Sequence, residues 1–261
     1  MADVVYVVDK KYFNLFKTSC YSLIKNSTVD LNIYILTEKN TFSDDQKNKI
    51  IKYLSKQRKD IKILFIESNK YETWKMNNML YKSNWYGDSI FLKSCIADAM
   101  PSNVDWINYI DCDTLVIKNI DDYLQKTYVN PIAGVLDIYY DKDTDYPYIS
   151  SAVYKVSLKY WRTNYIQLQF DSMIKENYQY IDQDIINNIF LYNKTILPLK
   201  YNMDNRFAEH ANTIISINHA CIIHFGGPIK PDSHLHKTNQ WHKQWVRYNS
   251  EIENLDILEE Q

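Results

Sequence analysis

Apolar and polar positions keep two rhythms along the first half of this chain. Residues 4–8 (Val-Val-Tyr-Val-Val) form a short unbroken apolar run rich in β-branched side chains, the mark of a buried strand. From Tyr12 to about Lys25 the apolar residues recur at three- and four-residue spacing, as one face of a helix requires. Strand character returns over residues 31–36. Ser43 with Gln46 then gives a capping-box start for a helix through about Lys56, and residues 61–66 follow as a third strand. A helix is expected over residues 90–100, capped by Asp88 and stopped by Pro101, ahead of a strand at residues 106–110. Strands alternating with helices imply βαβ units and a mainly parallel sheet, whose ligands gather at the carboxyl ends of the strands. Asp9 and Asp111 both fall at such ends.

The second half is less regular. Short strands are expected at residues 132–136, 152–156, 213–217 and 220–223, and helices at 161–175 and 183–191. No repeat or convincing linker interrupts the chain. The organisation expected is one mixed α/β domain over residues 1–232, with a small helical tail over 233–261 packed on it.

Composition excludes more than it identifies. Hydrophobic content of 46%, charged content of 24% and a net charge of −2 describe an ordinary globule without the basic footprint of a nucleic-acid binder. Four scattered cysteines form no C-x-x-C pair, so neither a zinc knuckle nor a disulfide framework is indicated. No basic leader with an apolar core and no span of about 18 apolar residues occurs, so a cytoplasmic location is expected. In the tail, Trp241, Trp245 and Tyr248 stand among Lys237, Lys243 and Arg247. They admit two readings, packing on the domain or resting on the inner face of a membrane. Glycine is scarce, four residues where average usage would give roughly 18. Two of the four are adjacent, Gly226-Gly227, which points to a backbone shape or close approach that no side chain permits.

The chemistry concentrates in Asp111-Cys112-Asp113, at the end of the strand over 106–110. Residues at i and i+2 of an extended segment share a face, so Asp111 and Asp113 can point at one ion. Oxygen-rich sites of this kind suit Mg²⁺ or Mn²⁺, which keep open positions for phosphate oxygens. The bland alternative is a turn or cap, since Asp readily bonds its own backbone. No G-x-G-x-x-G follows the first strand and no Walker A sequence occurs, so phosphates must be held by metal and side chains. His224, just before Gly226-Gly227-Pro228 and Lys230, supplies a metal donor, a tight turn exposing backbone N–H groups and a cation. Asp182 and Asp184 open a helix, where Asp182 reads as its N-cap and can also serve a site.

Four separated segments together resemble glycosyltransferase family 8, the family of the bacterial lipooligosaccharide α-galactosyltransferases and, more distantly, glycogenin. They are Val7-Val8-Asp9-Lys10-Lys11-Tyr12, Tyr109-Ile110-Asp111-Cys112-Asp113-Thr114-Leu115-Val116, Tyr180-Ile181-Asp182-Gln183-Asp184 and His224-Phe225-Gly226-Gly227-Pro228-Ile229-Lys230-Pro231. The resemblance implies a GT-A fold, a UDP-hexose donor, Mn²⁺ (with Mg²⁺ as substitute) and transfer with retention of anomeric configuration. It assigns Asp111, Asp113 and His224 to the metal, and Val7, Asp9 and Tyr12 to uridine, with Tyr12 stacked on the base. Gly227 and Lys230 fall to the diphosphate, Cys112 to the donor site within the metal motif, Asp182 and Gln183 to the donor sugar, and Asp137 to the acceptor. The chain departs from the family at Lys93, where an Arg is usual, at Ser150-Ser151-Ala152, where Asn-Ala-Gly is usual, and at Asp232, where a Trp is usual. The change at Lys93 turns a planar bidentate contact with the donor into a point charge, and the change at Ser150-Ser151-Ala152 touches the donor-sugar pocket.

The expected activity is therefore hexose transfer from a UDP-sugar, galactose favoured over glucose, to a glycan or glycosylated-protein acceptor. Gln183 is a feeble nucleophile, which favours same-face attack with Gln183 as electrostatic support; Asp182 is the alternative nucleophile. Two rival readings stand beside this one. A non-catalytic UDP-sugar-binding relic of the fold is one. The other is a haloacid-dehalogenase-like phosphatase, whose motif also contains Asp-x-Asp but belongs on the first strand.

Overall fold

The computed structural model describes residues 1–70, 88–138, 145–174, 176, 178–208, 217–232 and 240–252. Ten strands are found among them: β1 (Ala2–Val7), β2 (Leu31–Glu38), β3 (Ile61–Ser68), β4 (Trp106–Ile110), β5 (Thr114–Val116), β6 (Ile132–Leu136), β7 (Ile149–Ser157), β8 (Lys194–Ile196), β9 (Met203–Asp204) and β10 (Ile222–His224). Seven make the central sheet in the order β3-β2-β1-β4-β7-β6-β8, and β5, β10 and β9 form a small second sheet. β3, β2, β1 and β4 run parallel, β7 is antiparallel to both its neighbours, and β8 is parallel to β6. The fold is thus mixed α/β with a mainly parallel central sheet.

β1 shows why its sequence is apolar at every position from Val4 on. Val4, Tyr6 and Val8 face one core with α1 (Phe13–Lys25) and α2 (Asp44–Gln57). Val5 and Val7 face a second core with Ile96, Trp161 and Ile185. A strand covered on both faces has no polar side to alternate with. The capping box at the start of α2 is complete: Ser43 Oγ accepts from the Gln46 amide, and Gln46 Oε1 accepts from the Ser43 amide.

Several expected elements differ in detail. The helix over 90–100 is a 3₁₀ segment, Asp88–Cys95, followed by one α-turn, α3 (Ile96–Ala99). A short helix, α4 (Asp121–Gln125), follows β5. The helix over 161–175 is two, α5 (Leu158–Thr163) and α6 (Ile166–Met173), separated where Tyr165 adopts a left-handed φ of 53°. Continuous helical periodicity in a sequence does not exclude such a break, because a left-handed tyrosine carries no glycine or proline signal. Of the strand expected at 213–217, residues 213–216 lie outside the described residues, and Ile217 begins a 3₁₀ turn. The next helix, α7 (Ile181–Phe190), starts two residues before Gln183. Its N-cap position is Tyr180, which places Asp182 in the first turn instead of at the cap.

The last described helix, α8 (Gln240–Glu251), buries Trp241, Trp245 and Tyr248. Trp245 meets Phe225 edge-on with ring centroids 5.4 Å apart, and Tyr248 Oη accepts from Asn26 Nδ2 at 2.8 Å. These three aromatics therefore pack on the protein. No helix among the described residues is long and apolar enough to cross a membrane.

Candidate active site

The site forms where β1 and β4, parallel neighbours, both end. Asp111 continues the β4–β7 pairing by one bond, donating its amide to Ala152 O at 2.8 Å. The chain then turns through Cys112 and Asp113 into β5, and Thr114 Oγ1 closes the turn on Asp111 O at 2.8 Å. Asp111 and Asp113 converge through this turn, not through strand alternation. Cys112 Sγ donates to Val7 O at 3.2 Å, tying the turn to the end of β1.

The histidine arrives by register. β10 lies between β5 and β9, with His224 opposite Thr114 on one side and Asp204 on the other, and the Phe225 amide donates to Asp113 O at 2.9 Å. One ligand atom each from Asp111, Asp113 and His224 then lie within 4.8 Å of one another. His219 ends the 3₁₀ turn that precedes β10, at the strand's far end from His224. The two glycines that follow serve different needs. Gly227 has a left-handed φ of 85°, and a Cβ on Gly226 would lie 2.3 Å from Asp204 Oδ2. The turn they form returns Lys230, whose Nζ lies 2.6 Å from Asp113 Oδ2.

Two oxygen donors and one imidazole nitrogen from a preformed cluster fit a divalent cation of the Mn²⁺ or Mg²⁺ kind. The electrostatics divide the two carboxylates. Burial raises the pKa of Asp111, and its neighbour Asp113 adds to this against the pull of Lys93. Burial also works on Asp113, but Lys230 and His224 overcome it and hold that carboxyl below its ordinary value.

On the opposite wall, buried Lys93 donates to Asp182 Oδ2 at 2.8 Å and to Ser151 O at 3.2 Å. It also lies 3.3 Å from Asp111 Oδ1 and 4.6 Å from the Tyr109 ring centroid. Burial disfavours this ammonium, yet Asp111 and Asp182 more than offset it and raise its pKa above the usual lysine value. Gln183 is clamped at both ends of its amide: Oε1 accepts from the Ser151 N–H at 2.9 Å, and Nε2 donates to Asp137 Oδ2 at 2.9 Å. Ser150 Oγ accepts from the Ala152 amide at 3.3 Å.

All these groups line one pocket of about 760 Å³, together with Val7, Tyr12, Cys112, Gly227 and Lys230. Asp9 does not line it; its carboxylate accepts from the Tyr12 amide at 2.8 Å and shapes the turn before α1. Three residues escaped the sequence reading. Tyr109 donates its hydroxyl to Asp111 Oδ1, and Asp204 with Arg206 stands behind His224. The two-residue spacing of an acid and an arginine was the only signal for the latter pair, and it is common in any sequence.

Residues 3–233 match the family Glycosyl transferase family 8, so the chain belongs to that family. It is 25% identical over 195 residues to a lipopolysaccharide 1,2-glucosyltransferase of Escherichia coli, an alignment covering 66% of this chain and 54% of that protein. The chain thus spans about half the length of that relative. It is 23% identical over 274 residues to a putative glycosyltransferase of Haemophilus influenzae, covering 98% of this chain and 78% of the other. Among solved structures, the galactosyltransferase LgtC in complex with donor and acceptor sugar analogues superposes with a TM-score of 0.79 at 16% identity, covering 97% of each chain. The glycosyltransferase GlyE of Streptococcus pneumoniae gives 0.74 at 20% identity, over 95% of this chain and 60% of that one. The fold is the GT-A fold of LgtC, and the family is one of glycosyltransferases, not of haloacid-dehalogenase-like phosphatases.

Proposed function

We propose that this chain is a retaining hexosyltransferase that takes a UDP-hexose, galactose ahead of glucose, and a divalent cation, Mn²⁺ with Mg²⁺ as substitute. The acceptor is a glycan or a glycosylated protein. One observation carries the reading. Asp111, Asp113 and His224, from two chain segments over a hundred residues apart, converge in the same pocket that Lys93, Asp182 and Gln183 line from the other side. A ligand with a charged diphosphate end and a hydroxyl-rich end can use both walls.

Asp111, Asp113 and His224 would hold the cation, which when bound supplies positive charge beside the diphosphate. The remaining steps belong to the chain itself. Lys230, returned by the glycine turn, and the N–H groups of that turn stabilise negative charge as UDP departs. Tyr12, at the start of α1, offers its ring to the uracil. Gln183, fixed by Ser151 and Asp137, presents an oriented amide dipole to the sugar and does not need to act as nucleophile. Asp182 is engaged by Lys93, which favours a charge-organising role over covalent attack. Lys93 and the Ser150-Ser151 pair, where the family pattern differs, are the groups that select the hexose.

Incubation with Mn²⁺ and a panel of UDP-sugars, with UDP and free phosphate assayed separately, tests the activity. UDP release is expected; binding without turnover would favour the relic instead. Calorimetry with UDP, GDP and CMP in Mn²⁺ tests the base, and equal affinity for the three would defeat the uridine assignment.

A further inference from the structure

His224 turns its two ring nitrogens toward two different carboxylates. Nε2 lies 3.8 Å from Asp113 Oδ1, and Nδ1 lies 3.7 Å from Asp204 Oδ2. This follows from register, since β10 is held between β5, which adjoins Asp113, and β9, which ends in Asp204. Asp204 is itself fixed. Its Oδ1 accepts from the Arg206 amide at 2.9 Å and from Arg206 Nε at 2.8 Å, and its Oδ2 accepts from Arg206 Nη2 at 2.7 Å. Gly226 is part of the same arrangement, because any Cβ there would displace Asp204 Oδ2.

We propose that Asp204, clamped by Arg206, is a positioning residue for His224: it keeps the ring proton on Nδ1 and so leaves the Nε2 lone pair turned toward Asp111 and Asp113. The proposal rests on the metal reading given above. A neutral imidazole has one lone pair, and the partner of one nitrogen decides which nitrogen carries it. Asp113 lies close enough to Nε2 to compete for the ring proton, and a protonated Nε2 cannot ligate. Asp204 on the opposite edge settles that competition. Its distance is longer than a direct hydrogen bond, and a small ring rotation would close it. Arg206 has a second effect. By engaging both oxygens of Asp204 it keeps a third carboxylate of the pocket from competing for the cation.

The test is Mn²⁺ affinity read by electron paramagnetic resonance of the free ion, with no turnover required. Asp204→Ala is expected to weaken binding about tenfold, within the range for outer-shell partners. Asp204→Asn should weaken it less, because the Asn oxygen still accepts from Nδ1–H. In a His224→Ala background, Asp204→Ala should add nothing. With Mg²⁺ in place of Mn²⁺, ¹⁵N spectra should show His224 as the Nδ1–H tautomer, and as a mixture in Asp204→Ala. Should Asp204→Ala fail to fold, Asp204→Asn and Arg206→Gln carry the same measurements. Equal loss with and without His224 would mean that Asp204 acts directly on the ion and would overturn the proposal, as would unchanged affinity and tautomer. If the unsubstituted protein binds no Mn²⁺, the metal reading itself fails, and this proposal with it.

Discussion

Replacing Lys93 with Met keeps the buried stem and deletes the ammonium that joins the two walls of the pocket. Lys93 is only 4% exposed, and the change removes contacts at 2.8 Å to Asp182, 3.3 Å to Asp111 and 3.2 Å to Ser151 O. Hydrogen bonds to charged groups are worth about 1.5–3 kcal/mol each, against which stands the released desolvation of the ammonium. Asp111 retains the Tyr109 hydroxyl, whereas Asp182, 4% exposed, loses its cation. Breaking a buried pair from one side costs about 3–5 kcal/mol, a large part of the ~5–15 kcal/mol that holds a domain folded. Asp182→Asn alone should cost less, since Lys93 still has Asp111. In the double variant the uncompensated carboxylate is gone, so the losses should fall short of additivity by about 2 kcal/mol. Urea unfolding followed by tryptophan fluorescence, in EDTA at pH 7.5, measures all three variants. A Lys93→Met cost below about 1 kcal/mol, or strict additivity, would refute the buried bridge.

Three further outcomes are expected. His224→Ala should lose most activity and recover part of it in excess Mn²⁺, with half-saturation raised at least about tenfold; Asp113→Ala should not recover, and His219→Ala should cost little beyond ordinary stability. Trp245→Ala, which empties the space against Phe225, should destabilise by about 3–5 kcal/mol in thermal or urea melts without conferring vesicle binding. Burial lowers the Lys155 pKa to about 8, against about 10.4 when unfolded, so the unfolded chain binds the extra proton between those values. Stability from this group therefore rises with pH across that window, by about 3 kcal/mol at most. In Lys155→Met that rise should be missing from urea melts compared at pH 7 and pH 10, while Leu124 O keeps Asn108 Nδ2 as a donor; an unchanged pH slope would contradict the assignment.

The large elements were legible because their burial is written in their periodicity. The unbroken apolar run of β1 reported a strand covered on both faces, and Ser43 with Gln46 reported the exact start of α2. The scarcity of glycine made Gly226-Gly227 readable, and both reasons offered for such a pair, a left-handed φ and a close approach, are met. What escaped was short or tertiary. β5 and β9 have three and two residues, too few for any alternation, and although a strand just ahead of His224 was expected, its pairing between them, which brings His224 to Asp113, was not. Asp182 read as a cap because capping is local, whereas its partner Lys93 lies 89 residues away and could be found only in the fold.

The small sheet also sets an order in time. Its β10 strand is threaded between segments that end at Val116 and Asp204, and the ribosome delivers His224 more than a hundred residues after Asp113. At roughly 5–20 residues per second, the emerging chain carries its acidic pair without the histidine for on the order of ten seconds. β1, β2, β3 and β4 can meanwhile assemble, since all four precede residue 111. The end of the pocket that His224 completes is thus among the last parts of the protein to close. A chain stalled before Ile222 would be a largely folded sheet with an open, acidic and incomplete mouth.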